Sequence, residues 1–170
     1  EVSWGGPMRV MAARDKDPAS TAVAFCEVVG RDPFYLIGRE PNPAFQVRDL
    51  LHAKVATVSE VATPWICLQY DMRRAGEDPA RIPRIADQSM GANAEALRRG
   101  EVDVIQVFQP FARTLFEEGS GHLWYAAASR GATCYTMPAA GPPAEPGEAL
   151  ASQAKRWPSS SAGSGSMSSR

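Results

Sequence analysis

Short apolar runs of β-forming residues alternate along this chain with stretches in which apolar residues recur at helical spacing. The runs predict strands at 2–4, 21–29, 34–38, 54–58, 81–86, 102–108, 122–128 and 133–137. The first two long runs flank the turn Gly30-Arg31-Asp32-Pro33, which predicts two strands joined by a short turn. Helical spacing predicts helices at 7–14, 65–75, 89–100 and 109–119, and a single helical turn at 47–51.

Strands that alternate with helices across short loops predict an α/β fold. We therefore expect a mostly parallel sheet with helices on its faces. Ser89 is a typical residue before a helix, and Gly76, Gly100 and Gly119 are typical residues after one, so these four positions mark the predicted boundaries.

Both ends of the chain depart from this pattern. The sequence has no initiator Met, and residues 1–7 lack a basic segment followed by an apolar one, so no signal peptide is predicted and the natural start is expected to be missing. After Met137 the composition changes to Pro, Ala, Gly and Ser and ends in SSSAGSGSMSSR, which predicts disorder over 138–170.

The composition and net charge argue against several classes of binding partner. A chain of 170 residues with 44% hydrophobic residues suffices for one core, and a net charge of -1 gives no basic field for nucleic acid or an anionic membrane surface. Cys26, Cys67 and Cys134 are distant and form no CxxC pair, which argues against a disulfide framework and a metal site and favours buried thiols. No cofactor is predicted.

Three segments carry a resemblance to a known family. They are SWGGPMRVMAARD with FCEVVGRDPFYLIGRE, then KVATVSEVATPWICLQYDMRRAGEDPARI, then ANAEALRRGEVDVIQVFQPFARTLFEEG, and they cover about four fifths of the chain. The last is the most specific, through the order of Gly100, Asp103, Gln109 and Pro110. In these segments the chain resembles periplasmic substrate-binding proteins of ABC transporters for nitrate, alkanesulfonates and taurine, a family that includes thiamine-pyrimidine synthase-like proteins.

The resemblance implies a type II periplasmic-binding-protein fold of two lobes, with the first lobe incomplete because its opening strands and helix have no counterpart before Glu1. It divides the chain into the remainder of the first lobe with the crossover strands (1–40), the second lobe (41–107), a segment returning to the first lobe (108–137) and the low-complexity tail (138–170).

The same resemblance implies a function in transport. The expected protein is a periplasmic solute-binding component, monomeric at full length, that binds a small polar solute such as a pyrimidine or sulfonate and presents it to an ABC permease. It is not expected to be an enzyme. Two alternatives stay open: an enzyme of the thiamine-pyrimidine synthase-like or desulfinase group on the same fold, and a stand-alone ligand-sensing module.

The loop between the predicted strand 54–58 and the helix after it is the best candidate binding segment. Ser59 and Thr63 supply hydroxyls beside a helix N-terminus, which suits an anion or a polar heterocycle, although ordinary capping explains them equally well. The negative charge of Glu60 would repel an anionic ligand and therefore favours an amine-bearing or neutral solute. The alternative is that Glu60 is a solvated loop carboxylate without a binding role.

Four further residues are candidate ligand contacts. Gln109 follows a buried strand and could point its amide into the cleft, or simply begin a helix. Trp4 could stack on a planar ligand beside Gly5, or belong to the core. Arg9 could pair with an acid group of the solute, or lie on a solvated helix face.

Catalysis would require a nucleophile with a nearby base. Cys67 lies between Ile66 and Leu68 inside a predicted helix, where a buried structural thiol is expected, and neither His52 nor His122 is spaced as its partner. Four further aromatic residues are expected to pack in the core: Trp65, Phe108, Phe111 and Phe116.

Overall fold

The structure is a computed structural model that describes residues 2–140. The chain runs through β1 (Val2–Gly5), α1 (Pro7–Lys16), β2 (Val23–Ala24), β3 (Tyr35–Gly38), a 3₁₀ helix (Val47–His52), β4 (Val55–Ala56), α2 (Thr63–Arg74), a 3₁₀ helix (Pro79–Arg81), β5 (Arg84–Ile85), α3 (Met90–Arg98), β6 (Val104–Val107), α4 (Phe111–Glu117), β7 (His122–Ala126), a 3₁₀ helix (Ala127–Arg130) and β8 (Met137–Ala140). Helices and strands alternate, as the sequence predicts.

The strands form two sheets. One has three strands in the order β1-β8-β2, and the other has five in the order β5-β4-β6-β3-β7. Only the pairings of β4 with β5 and with β6 are parallel, so the expectation of a mostly parallel sheet is wrong. The reason is that β3 enters the larger sheet against the direction of β6 and pairs antiparallel with it and with β7.

The larger sheet carries helices on both faces. On one face α3 and α4 pack through Leu97 and Leu115 against Ile37 and Ile105. On the other face α2 packs through Leu68 and Met72, together with side chains of the 3₁₀ helix Val47–His52. Because β6 lies between two helical layers, all four of its residues are buried, which is why its sequence VIQV does not alternate.

The helix boundaries follow the predicted signals. Gly76 after α2 and Gly100 after α3 have φ values of 81° and 71°, a region that favours glycine. At each end the following residue closes the turn, with the Glu77 N–H donating to Met72 O (2.9 Å) and the Glu101 N–H donating to Ala96 O (2.9 Å).

Ser89 caps α3, since its Oγ accepts a hydrogen bond from the Ala92 N–H (3.2 Å). We expect Ser89→Ala to lower the free energy of unfolding by about 1 kcal/mol, because one N–H at the helix start loses its acceptor. Urea denaturation measures this. The matched control is Ser59→Ala in the loop before α2, where the hydroxyl makes no hydrogen bond within residues 2–140, so that a change within about 0.5 kcal/mol is expected. Equal losses in both variants would contradict the capping role.

Two local predictions are wrong. The segments 21–29 and 34–38 do not form a pair, because β2 pairs with β8 in the smaller sheet while β3 pairs with β6 and β7 in the larger one. The last strand lies at Met137–Ala140 instead of 133–137, so residues 138–140 of the predicted disordered tail are part of β8. Residues 141–170 of that tail lie outside the described residues.

The two sheets define two units of the described chain. The smaller sheet unit contains β1, α1, β2 and β8, and the larger one contains the elements from β3 to β7. The segment 108–126 therefore stays with the larger sheet through α4 and β7, and the return to the smaller sheet begins only after Arg130. Hydrogen bonding of β7 to β3 decides this boundary, and that pairing spans more than 80 residues of sequence.

Two chain crossings connect the sheets and run side by side. The Tyr135 N–H donates to Val29 O (2.8 Å) and the Thr133 N–H donates to Gly30 O (2.9 Å). An isolated antiparallel bridge joins Val29 to Thr136. The two units are thus linked by a short double crossing.

Within residues 2–140, the structure contains no helix with the length and apolar character that crossing a membrane requires.

Candidate functional site

A cavity of about 750 Å³ lies between the two sheet units, and we call it the intersheet cavity. One wall is formed by the start of α1, with Trp4, Gly6 and Arg9. The opposite wall is formed by the loop after β4 and the start of α2, with Glu60 and Thr63. Cavities of roughly 300–1,000 Å³ are typical of small-molecule sites. The position and volume make this the candidate site.

The crossings between the sheets supply further cavity-lining residues, Val29, Pro33, Tyr135 and Thr136. Phe108, which follows the carboxyl end of β6, also lines the cavity. Its ring meets that of Phe34 edge-on, with 5.1 Å between centroids, so this part of the wall is continuous with the core.

The N-termini of α1 and α2 both open onto this cavity. Gly6 and Ala62 are the residues before the two helices, and neither helix start has a side-chain cap. Thr63, the first residue of α2, places its hydroxyl at the wall. Uncapped N–H groups and the positive ends of two helix dipoles favour a ligand with negative charge or strong acceptors.

Gly6 allows the two units to approach closely. A Cβ at this position would lie 2.8 Å from Tyr135 O and 3.7 Å from Thr63 Oγ1. The absence of a side chain therefore brings the start of α1 against the crossing and near the start of α2.

Five of the seven predicted ligand residues line the intersheet cavity: Trp4, Gly5, Arg9, Glu60 and Thr63. Trp4 is 64% exposed and so is not a core residue. The stem of Arg9 lies over Gly5, where a Cβ would be 2.9 Å from Arg9 Cδ. Glu60 also has a structural contact, because its Oε1 accepts a hydrogen bond from the Met90 N–H at the start of α3 (2.9 Å).

Ser59 and Gln109, the other two predicted ligand residues, do not line the intersheet cavity. The backbone N–H of Ser59 donates to Gln88 O (3.1 Å), and its side chain is exposed beside Glu60. The Oε1 of Gln109 accepts from the Arg113 N–H (3.0 Å), so its amide is engaged in the first turn of α4.

Phe108 and Tyr135 are wall residues that were not among the predicted contacts. Phe108 could have been found, because it closes a predicted strand and residues at the carboxyl ends of strands border the ligand cleft in open α/β sheets. Tyr135 carries no such signal. Its ring lies 6.0 Å from that of Phe34, and its hydroxyl is buried without a hydrogen-bond partner in the described part of the chain. Burial raises the pKa of Tyr135, so the phenol is neutral.

A buried ion cluster lies next to the crossings. Arg130 donates through Nε to both carboxylate oxygens of Asp71 (2.8 and 3.0 Å) and through a terminal nitrogen to Asp32 (2.9 Å). Tyr125 donates its hydroxyl to Asp71 (3.3 Å). The pKa of Arg130 is raised, chiefly by the hydrogen bonds to Asp71. The cluster connects both crossings to α2. Asp32 lies on the first crossing, Arg130 immediately precedes the second, and Asp71 lies on the helix.

Cys67 lies on α2 near this cluster. Burial raises the pKa of its thiol, so it remains protonated at neutral pH, as expected for a structural cysteine. Across residues 2–140 the structure contains no cluster of three or more His, Cys, Asp or Glu residues that could hold a metal ion.

Comparison with solved structures identifies the fold. The chain is similar to the periplasmic aliphatic sulphonate-binding protein SsuA of Escherichia coli, with 20% identity and a TM-score of 0.67 over 91% of this chain and 52% of that one. It is also similar to the alkanesulfonate-binding protein SsuA of Xanthomonas axonopodis bound to MOPS, with 15% identity and a TM-score of 0.65 over 84% and 48%.

A third similar structure is PhnD1 of Prochlorococcus marinus in complex with methylphosphonate, with 15% identity and a TM-score of 0.58 over 83% of this chain and 56% of that one. No family model and no curated protein matches the chain. The chain thus has the α/β fold of periplasmic binding proteins, as predicted, and spans about half the length of the solved proteins it matches.

Proposed function

We propose that this chain forms the binding site of a periplasmic solute-binding protein, which captures a small polar solute between two lobes and presents it to an ABC permease. The observation that carries the proposal is the intersheet cavity, which opens between the starts of α1 and α2 and is lined by both units. The similarity of the fold to sulphonate- and phosphonate-binding proteins supports it.

The chemistry of the wall favours a solute with an oxyanion or other strong acceptor. The N-termini of α1 and α2 supply N–H donors, Thr63 supplies a hydroxyl and Arg9 a guanidinium. Trp4, Ile66 and Phe108 offer apolar surface to the body of the solute. Sulfonates and phosphonates with a carbon skeleton have this combination, and a pyrimidine would accept hydrogen bonds from the same donors and stack on the aromatic surface.

Closure of the lobes would proceed by hinge motion at the double crossing, where two backbone segments join the units within residues 2–140. The solute would contact residues of both lobes and would stabilise the closed form, because it binds that form more tightly. Release to the permease returns the solute unchanged, so the proposed protein is a binder without catalytic turnover.

A thermal-shift screen of the 170-residue chain tests this function, with alkane- and arylsulfonates, phosphonates, nitrate, pyrimidines and amines as the panel. A ligand at about 100 times its Kd should stabilise the folded chain by about 2.7 kcal/mol and raise Tm by roughly 5–10 °C. Ala12→Trp should abolish the shift, because Ala12 is an exposed residue of α1 that lines the cavity and a larger side chain would fill it.

The matched control is Met11→Trp, since Met11 is the neighbouring exposed residue of α1 but does not line the cavity. It should retain the full shift. A folded chain whose Tm responds to none of the panel would refute the proposed function, and a shift that survives Ala12→Trp would place binding elsewhere. Turnover of a bound ligand would favour the enzyme alternative.

A further inference from the structure

Two side chains of opposite charge lie on opposite walls of the intersheet cavity. Arg9 projects from α1 in the smaller sheet unit, and Glu60 belongs to the loop before α2 in the larger one. Among the described residues that line the cavity, they are the only ones with a full charge at neutral pH. Thr63, Tyr135 and Thr136 are other lining residues with polar side chains, and each carries a hydroxyl.

Arg9 has no protein partner in the described chain. Its guanidinium makes no ion pair and no hydrogen bond to any of residues 2–140, whereas most of the other arginines in ordered helices do. Its stem is held over Gly5. A guanidinium offers five donors in a planar fork that matches an oxyanion, so Arg9 is available to one acid group of a ligand.

One of the two carboxylate oxygens of Glu60 accepts a hydrogen bond from the protein. Its Oε1 accepts from the Met90 N–H at the start of α3 (2.9 Å), which fixes the carboxylate in place. Its Oε2 has no donor, and no Lys or Arg within residues 2–140 pairs with it. A fixed carboxylate with one oxygen unsatisfied is a recognition group for a cationic donor such as an ammonium.

Arg9 and Glu60 do not satisfy each other, because they form no ion pair across the cavity. If the cavity closes around a simple anion, the anion pairs with Arg9. The Glu60 carboxylate then loses its water and lies near a second negative charge. Closing the cavity around a simple amine would leave Arg9 unpaired. Burying a charged group without a partner is costly. A ligand that carries both charges avoids this cost, because it pairs with Arg9 and with Glu60.

We infer that the solute is a zwitterion, with its acid group at Arg9 and the start of α1 and its ammonium group at Glu60. The inference rests on the proposed function and narrows its ligand class. Trp4 and Ile66 on the walls supply apolar surface for a short carbon skeleton between the two charges, and the volume of about 750 Å³ accommodates a ring.

Matched triads of ligands test this by isothermal titration calorimetry on the 170-residue chain. The first triad is 4-(aminomethyl)benzenesulfonate, 4-methylbenzenesulfonate and 4-methylbenzylamine, which share the ring and differ in which charged groups they carry. The second is 2-aminoethanesulfonate, ethanesulfonate and ethylamine, in which the charges are closer together. In at least one triad the zwitterion should bind at least about tenfold more tightly than either relative.

Variants locate the two charges. Glu60→Gln keeps an acceptor for the Met90 N–H but removes the charge, so it should abolish the preference for the zwitterion over the plain sulfonate. Arg9→Gln should weaken both sulfonates by at least about tenfold. Glu117→Gln and Arg14→Gln are the controls for net charge, since neither residue lines the cavity, and both should bind like the original chain.

Three results would overturn the inference: a plain sulfonate that binds as tightly as the zwitterion in both triads, a zwitterion preference that persists in Glu60→Gln, or a panel ligand without an ammonium group that stabilises the chain while neither zwitterion binds. Each of these leaves the proposed function standing. That function fails separately, when the chain responds to no member of the panel.

Discussion

Replacing Arg130 by methionine should lower the free energy of unfolding by about 3–5 kcal/mol, because it leaves the buried Asp32 carboxylate and the largely buried Asp71 carboxylate without their common partner. Asp32 is 1% exposed, and Arg130 is its ion-pair partner. Asp71 loses the paired hydrogen bonds of the guanidinium and keeps only the Tyr125 hydroxyl. Methionine retains most of the stem volume, so the effect reports charge and hydrogen bonding more than packing.

The matched control is Arg113→Met on α4. Arg113 pairs with Glu117 four residues on, and both side chains are well over half exposed, so the loss should stay within about 0.5 kcal/mol. Urea denaturation of the two variants gives the comparison directly. Similar small losses in both would mean that the buried cluster contributes nothing beyond a surface pair.

The Arg130→Met deficit should also depend on pH. Burial already raises the pKa of Asp32 above its ordinary value, while the Phe34 N–H and Arg130 act in the opposite direction. Removing Arg130 raises it further. A carboxyl whose folded pKa exceeds its unfolded value binds protons more tightly when folded, so stability rises as pH falls through the folded pKa. The deficit relative to the original chain should therefore shrink from about pH 7.5 to about pH 5. A deficit that grows on acidification would contradict the assignment.

Gly38→Ala should destabilise the chain by about 3 kcal/mol, through overpacking in the middle of the larger sheet. A Cβ at Gly38 would overlap the indole of Trp124 on the neighbouring strand β7. That ring cannot move without cost, because its Nε1 donates to Glu40 O (2.7 Å) and it packs against Phe45, with 5.6 Å between ring centroids. Thermal and urea denaturation both measure the loss.

Gly91→Ala in α3 is the matched control and should have the opposite sign. There a Cβ would make an ordinary contact of 3.7 Å with Phe111, and alanine is the better helix former, so a gain of about 0.5 kcal/mol is expected. If the indole is the cause at position 38, Gly38→Ala should cost much less in a Trp124→Leu background. An equal cost in that background would refute the overlap.

The predictions that depend on local sequence agree well with the structure. The start of α3 and the ends of α2 and α3 follow from Ser89, Gly76 and Gly100, because capping and left-handed turns involve only neighbouring residues. The buried strand β6 follows from its β-forming residues Val104, Ile105 and Val107, although the polar Gln106 interrupts the apolar run.

The candidate site was predictable only in part. Glu60 and Thr63 could be proposed because a strand, a polar loop and a helix follow one another in sequence, and Arg9 because it begins a helix after a strand. Tyr135 could not, since its place in the cavity depends on a crossing that pairs with residues more than 100 positions earlier. Arg130 and Asp32 are 98 residues apart in sequence, so no local sequence pattern indicates the ion cluster.

By itself the sequence determined the α/β class, the order of elements and the polar loop that borders the cavity, because backbone preferences, caps and burial periodicity act over a few residues. Only the tertiary structure decided that β3 pairs with β6 and β7 instead of with β2, that α4 and β7 stay with the larger sheet, and that Arg9 and Glu60 line the same cavity from opposite walls. Those outcomes depend on contacts between distant segments, whose free energy is gained only when whole sheets and helices pack together.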